Sequence, residues 1–331
     1  MRKIFLTLLT LNLIFLAACS FDFQNGDFEK VSITHQVSKK IGEDKDGKII
    51  YERVNVTETF KVNPKVVAVF TLEVADIFLQ TDLENYDFSL LGIAKSNLPP
   101  VLDEFKKDKY PNIGTLFEPN YDTLDLMLPD LIIIGGRSAS LYETLKEKYP
   151  MADILDVSNT NYSFSIQKEV FHNIGLIFPN AKDILNQKIL EFEEKILEIN
   201  LKANGLNTLF VSINEGQLSV FGLNSRYHTV FSDFGFSAAD PNQETFNSHG
   251  NSVTFEYISA VNPDVILFMD RGAAIGTSGS IIEIINNPLI LNTNAGKNSK
   301  IVVLDSYAWY ILPGGLSSTE TMIKDLKKVV E

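Results

Sequence analysis

The chain of 331 residues has little of what most catalytic and metal sites require. Cys19 is its one cysteine, so an intrachain disulfide and a zinc site built on thiolates are both excluded. The glycine-rich signatures of nucleotide binding and the Gly-x-Ser-x-Gly turn of α/β hydrolases are absent. A serine triad assembled from distant residues stays open. The four histidines are scattered without metal-binding spacing; they are His35, His172, His228 and His249.

Positive charge is also scarce, with 29 lysines and arginines against 42 acidic residues and a net charge of -13. Two of the basic residues, Arg2 and Lys3, lie in the first three positions; without them 27 basic residues oppose 42 acids, a net charge of -15. Such a surface argues against binding to nucleic acid or to anionic membranes. It does not exclude an anionic small ligand, because salt screens distant charge and a local cluster of arginines can dominate a cleft.

Long apolar runs are confined to the start of the chain. Arg2 and Lys3 precede the apolar residues 4–15, and Leu16-Ala17-Ala18-Cys19 follows. This pattern predicts a secretory signal at residues 1–18. It resembles the bacterial lipobox, which implies that Cys19 is lipidated and that residues 19–34 form a tether. A plain signal peptide or an uncleaved anchor is the alternative.

One segment recurs at a constant offset: residues 120–137 align with residues 254–271. Asp122 matches Glu256 and Arg137 matches Arg271. Each copy has the pattern of a short helix, a Pro-Asp turn and an apolar run that ends in arginine, and such a run is typical of a buried parallel strand. Because ligands of open α/β sheets bind beyond the carboxyl ends of strands, we expect two related lobes that each direct an arginine to a shared site. Two generic helix–strand units with surface arginines are the alternative.

Apolar strand-like runs alternate with helical stretches along the rest of the chain. We predict strands at residues 65–70, 90–94, 131–134, 154–157, 209–213, 217–221, 265–269 and 301–304, and helices at 72–80, 121–127, 138–148, 165–176, 180–203 and 318–330. The alternation predicts an α/β fold with two lobes that contain parallel sheet and a helical connection. We place the N-terminal lobe at residues 35–163, the connecting helix at 164–180 and the C-terminal lobe at 181–331.

Six motifs occur in order between about residue 62 and the C-terminus. They are Asn112-Ile-Gly-Thr-Leu-Phe-Glu-Pro-Asn120, Leu131-Ile-Ile-Ile-Gly-Gly-Arg137, Gly216-Gln-Leu-Ser-Val-Phe-Gly-Leu-Asn-Ser-Arg226, His249-Gly250, Phe268-Met-Asp-Arg-Gly-Ala-Ala-Ile-Gly276 and Ala308-Trp-Tyr310. With the lipobox, they resemble the iron–siderophore substrate-binding lipoproteins of ABC transporters, and among these the group that binds ferric catecholates. The resemblance implies two α/β lobes joined by a long rigid helix, with the ligand cleft between the lobes.

By the same resemblance, Arg137, Arg226 and Arg271 match the three arginines that this group uses to bind its ligand. A ferric tris-catecholate carries several negative charges. Guanidinium groups donate planar, charge-assisted hydrogen bonds to its oxygens and can lie over its aryl rings, whereas lysine would supply charge alone. For Arg226 the alternative is a solvated loop residue.

His249 and Tyr310 match a histidine and a tyrosine that bind iron directly in part of the family. A siderophore that gives six oxygens saturates the iron, whereas one that gives four leaves two positions for imidazole and phenolate. The alternative is that His249 lines a loop and Tyr310 packs beside Trp309.

The sequence departs from the family pattern in several places. Thr71 and Glu73 stand where the family often has aspartate and glycine, so Glu73 would add a carboxylate near the cleft. Tyr227 and His228 follow Arg226 in place of the usual aromatic–glycine pair, and residues 35–58 are longer and more polar than we expect. These departures bear on which siderophore is bound rather than on the class of ligand.

The sequence therefore predicts a non-enzymatic binding protein that hands a ferric siderophore to an ABC permease and its ATPase. We expect a monomer that is lipid-anchored in the cell envelope, binds no nucleic acid and has no cofactor of its own, since iron arrives within the siderophore. Capture of haem, a corrinoid or another metal chelate is one alternative, and a secreted α/β hydrolase is an alternative of another class.

Asp122 and Glu256 are the predicted contacts with the permease. They begin the two repeated helices, and in this transporter class one acid on each lobe pairs with permease arginines. The alternative is that each carboxylate stabilises only its own helix N-terminus.

Overall fold

A computed structural model describes residues 29–158, 162–242, 250–277 and 281–331. The predicted signal peptide, Cys19 and His249 lie outside these ranges. The described strands are β1 (Lys30–Glu43), β2 (Ile49–Lys61), β3 (Val66–Val69), β4 (Leu90–Ile93), β5 (Leu131–Ile134), β6 (Asp153–Asp156), β7 (Asn207–Asn214), β8 (Gln217–Phe221), β9 (Ser237–Ala238), β10 (Asn251–Val253), β11 (Val265–Asp270) and β12 (Ile301–Val303).

The described helices are α1 (Leu72–Gln80), α2 (Tyr121–Met127), α3 (Tyr142–Lys148), α4 (Phe164–Ile177), α5 (Lys182–Ala203), α6 (Thr229–Ser232), α7 (Phe255–Val261), α8 (Arg271–Ile275), α9 (Ile281–Ile285), α10 (Pro288–Leu291), α11 (Asn294–Lys297) and α12 (Leu316–Val330). Short 3-10 turns occur at Leu83–Tyr86, Pro100–Lys106, Ala139–Leu141 and Pro179–Ala181, and a π-helical turn at Tyr307–Ile311. Within these ranges no helix combines the length and apolar character needed to cross a bilayer.

The N-terminal lobe is built on a sheet of four parallel strands in the order β4-β3-β5-β6. All four residues of β5 are buried, which explains its continuous apolar sequence. Because the strands are parallel, the segments that follow β3, β5 and β6 all emerge at one edge of the sheet. Residues from these segments are therefore placed side by side.

The C-terminal lobe has a mixed sheet in the order β10-β8-β7-β11-β12, with β9 beside the start of β7. Strands β7, β11 and β12 are parallel, and β8 returns antiparallel to β7. The turn between β7 and β8 has positive φ at Glu215 (52°) and Gly216 (81°), as a tight two-residue hairpin requires. The two sheet-containing lobes confirm the predicted α/β fold class.

The sequence repeat is also a structural repeat. Helices α2 and α7 both end at a left-handed residue, Leu128 with φ of 49° and Asn262 with φ of 50°. After each helix the backbone N–H of the aspartate, Asp130 or Asp264, donates to the first residue of the neighbouring strand at 2.8 Å. The two copies therefore enter their sheets in the same way, at β5 and β11.

A long antiparallel hairpin, β1–β2, precedes the first lobe. It is fixed to the lobe at Asp156, whose carboxylate accepts from Arg53 at 2.6 Å, and His35 is buried 3.2 Å from Glu58. The hairpin begins at Lys30, so residues 30–34 are strand although we assigned the range 19–34 to the tether. The ends of the lobes that we drew from sequence stay a prediction.

The lobes are connected by α4 and α5 in series. Helix α4 ends at Ile177 because Pro179 disfavours the helical conformation at the residue before it, and Phe178 has φ of −122° and ψ of 81°. A single 3-10 turn then leads into α5, which packs against α12. The connecting segment is therefore helical on both sides of one sharp turn.

The lobes also meet through a hydrogen-bonded clamp between α1 and the start of α12. The carboxylate of Asp76 accepts from the backbone N–H of Ser317 at 2.8 Å and from its hydroxyl at 2.7 Å. Burial raises the pKa of Asp76, although the bonds from Ser317 act in the opposite direction. Gly315 lies against this carboxylate, where no side chain would fit.

We expect Gly315→Ala to weaken the clamp. A Cβ at this position would lie 2.3 Å from Asp76 Oδ2, and since Gly315 has an ordinary φ of −73°, the clash alone sets the cost. The free energy of unfolding should fall by about 1–3 kcal/mol in urea titrations. Gly42→Ala is the matched control, because nothing lies within 4 Å of its Cβ position. Equal stability of the two variants would show that the lobes do not depend on this contact.

Candidate functional site

Arg226 and Arg271 meet at Tyr310 in the C-terminal lobe. Arg271 Nε donates to the phenol oxygen of Tyr310 at 2.9 Å, and Arg226 Nη2 donates to its carbonyl oxygen at 3.3 Å. The guanidinium carbon of Arg226 lies 4.8 Å from the centre of the Tyr310 ring, and that of Arg271 lies 5.5 Å from it; both are cation–π distances. All three side chains are half-buried. Two predicted ligand-binding arginines therefore share one aromatic platform with one predicted iron ligand.

Arg271 is placed by an interior strand of its sheet. It directly follows β11, whose residues are all buried, and opens the short helix α8. The preceding Asp270 caps that helix by accepting from the N–H of Ala273 at 3.1 Å. The side chain is thus fixed at the carboxyl end of a parallel strand, where α/β folds bind ligands.

Arg226 lies in the loop after β8 and is placed by an aromatic stack. The adjacent Tyr227 is buried and stacks on Phe210 with ring centres 3.9 Å apart and planes at 17°. The guanidinium carbon of Arg226 is 5.5 Å from the Tyr227 ring. The aromatic residue after Arg226 therefore orders the loop.

Tyr310 is presented by the π-helical turn, a feature that often occurs at functional sites. The neighbouring Trp309 is buried and donates its indole N–H to Asp325 Oδ2 at 3.1 Å. The same oxygen accepts from the backbone N–H of Asp305 at 2.8 Å. Sequence reasoning missed Asp325, although an aspartate on the apolar face of α12, beside Met322 and Leu326, was a signal that could have found it.

Arg137 lies in the other lobe, after the two glycines that follow β5. It is half-buried, and its charge acts on Glu73. Burial raises the pKa of Glu73 more than the Thr71 hydroxyl, its own backbone N–H and Arg137 lower it. The structure thus brings together two of the three predicted arginines, and the convergence of all three around a ligand stays a prediction.

The three arginines share an electrostatic property. Across the described ranges, no carboxylate lies within 4 Å of Arg137, Arg226 or Arg271, whereas Arg53 forms an ion pair with Asp156 at 2.6 Å. Partial burial of a charge without an opposite charge is unfavourable. An anionic ligand would supply the missing partner.

The remaining predicted residues lie elsewhere. Asp122 and Glu256 are exposed in the first turns of α2 and α7, and no described cation pairs with either. The pKa of Glu256 is lowered by its own backbone N–H and by the Thr254 hydroxyl. In the described part of the chain no three histidine, cysteine or acidic side chains are grouped for a metal ion. Tyr310 is thus the one predicted iron ligand whose surroundings are known.

Two α/β lobes joined by helices, with Arg137 and Arg271 just after β5 and β11, are the architecture of a two-lobed binding protein. The chain belongs to the periplasmic binding protein family, whose sequence model matches residues 67–308. This confirms the family resemblance drawn from the motifs. The β1–β2 hairpin precedes the matched region.

Two curated relatives are named for the ligands that they bind. The petrobactin-binding protein YclQ of Bacillus subtilis is 34% identical over 92% of this chain and 89% of its own length. The ferric-anguibactin-binding protein FatB of Vibrio anguillarum is 29% identical over 74% of this chain and 78% of its own length.

Solved structures share the fold over nearly the whole chain. The crystal structure of YclQ superposes with a TM-score of 0.73 at 32% identity and covers 90% of this chain and 99% of its own. The periplasmic catecholate-siderophore binding protein VctP of Vibrio cholerae gives 0.74 at 28% identity, over 89% of this chain and all (100%) of its own.

Proposed function

We propose that this protein captures a ferric siderophore of the catecholate type and delivers it to the permease of an ABC importer. The observation that carries the proposal is the arrangement of Arg226 and Arg271 around Tyr310 without a carboxylate partner among the described residues. Arg137 supplies a third guanidinium, on the other lobe, and it too pairs with no carboxylate among the described residues.

The chemistry of the site fits this ligand class. A ferric catecholate is anionic, planar in its aryl rings and rich in oxygen acceptors. Guanidinium groups donate to such oxygens and stack on such rings, and the Tyr310 ring adds a further flat surface. The names of the relatives support the same class, since they bind petrobactin, ferric anguibactin and a catecholate siderophore.

The remaining features of the proposal rest on the sequence. Cys19 would carry the lipid that anchors the protein in the cell envelope, with the lobes facing the periplasm or the exterior. The protein would act as a monomer and without enzymatic activity, since its relatives are binding proteins. Haem, a corrinoid or hydrolysis finds no support in the named ligands of the relatives.

Arg271→Ala is the most direct test of ligand binding. Charge-assisted hydrogen bonds are each worth roughly 1.5–3 kcal/mol, so calorimetric titration with a ferric catecholate should show a Kd raised about tenfold or more. Arg226→Ala and Arg137→Ala should act in the same direction. Lys324→Ala removes one exposed positive charge and is the control. Unchanged affinity in all three arginine variants would refute the proposed site.

Delivery to the permease is proposed to use Asp122 and Glu256. Reversal of both charges to lysine should abolish siderophore-dependent iron uptake by cells, because attraction to arginines would become repulsion. Ligand affinity of the purified double variant should not change. Reversal of Asp103 and Glu283, two exposed acids on the same two lobes, is the control. Normal uptake by the first double variant would rule out docking through these acids.

Tyr310→Phe tests direct contact with iron, for which His249 is the proposed second ligand. Phenol in water ionises near pH 10, so a phenolate at neutral pH requires the metal. A tetradentate ferric complex should gain a phenolate-to-iron charge-transfer band on binding, and the variant should lose it. A hexadentate complex should show no such band in either protein. Equal affinity losses for both ligands, or none for either, would make Tyr310 a packing residue.

A further inference from the structure

Glu73 lies at the edge of the N-terminal sheet where the strands end. It belongs to the first turn of α1, directly after β3, and its carboxylate reaches across the end of β5. A side chain at Gly135 would place its Cβ 3.0 Å from Glu73 Oε1. Glycine at 135 therefore leaves the space that this carboxylate occupies.

The negative charge of Glu73 is only partly balanced. Arg137 attracts it, but among the residues that the structure covers no cation lies within 4 Å. Asp156, at the end of β6, repels the Glu73 carboxylate, and Asp156 already forms an ion pair with Arg53. Burial raises the pKa of Glu73, so desolvation of the carboxylate exceeds the compensation that the protein supplies.

The two lobes consequently offer different surfaces to a ligand. The Tyr310 side has two guanidinium groups, and no described carboxylate lies within 4 Å of either. At the end of β5 one guanidinium, Arg137, shares the edge with one carboxylate, Glu73. A uniformly anionic ligand would match the first surface and be repelled in part by the second.

We propose that Glu73 is a specificity residue that selects a siderophore carrying a protonated amine next to its iron-binding groups. The ammonium group would donate to Glu73 while the catecholate oxygens accept from the arginines. A desolvated carboxylate gains most from a cation that replaces its lost water. An ether or a methylene group at the same place would supply no such cation. The inference rests on the proposed function, because it concerns the same ligand.

Two synthetic ferric bis-catecholates provide the test. Their linkers are identical except for one position, which is a secondary amine in one and an ether oxygen in the other. Calorimetric titration at neutral pH compares the wild type with Glu73→Gln and with Glu84→Gln. Glu84 is exposed on the same lobe, so its loss removes the same charge without touching the cleft and controls for the attraction of an acidic protein to any cation.

The wild type and Glu84→Gln should both prefer the amine complex by about tenfold or more, and Glu73→Gln should reduce this preference to about threefold or less. No preference in the wild type, or an undiminished preference in Glu73→Gln, would overturn the assignment. An equal loss for both ligands in Glu73→Gln would show that the residue only positions Arg137, which also overturns it. Failure of the wild type to bind either complex would instead refute the proposed function.

Discussion

Two hydrogen bonds from Ser317 to the buried carboxylate of Asp76 join the two lobes directly. They tie the first helix of one lobe to the last helix of the chain, 241 residues away in sequence. A buried carboxylate tolerates this position because donors replace its water. With α4 and α5 as a further connection, the lobes are held together at more than one place.

Most of the fold could be predicted from the sequence, because the sequence signals of its strands and helices are local. The apolar run of β5 and the Pro-Asp turn before it identify a buried strand without any knowledge of its neighbours. The break after Ile177 could also be predicted, because Pro179 separates the two helices expected at residues 165–176 and 180–203. The clamp at Asp76 could not be predicted, since nothing near either partner in the sequence indicates that they meet.

In the candidate site, too, the features with local sequence signals could be predicted and the tertiary contacts could not. Arg137 and Arg271 could be placed at strand ends because each follows a strand of recognisable sequence. The shared contact of Arg226 and Arg271 with Tyr310 could not be predicted from spacing, because it joins three separate loops and turns. In the π-helical turn that presents Tyr310, Trp309 is hydrogen-bonded to Asp325 on α12, which is a tertiary contact. Helix periodicity carries no information about such a turn.

Trp309 is the one tryptophan of the chain, and its burial beside Tyr310 gives the molecule an internal optical reporter. Its indole is held by the bond to Asp325 and excluded from solvent, so its emission is that of one fluorophore in one environment. Ferric complexes absorb light and quench nearby excited indoles. An iron-loaded ligand at Tyr310 would quench this emission, whereas an iron-free ligand of the same shape would quench it much less. Occupancy by iron can therefore be followed without any label.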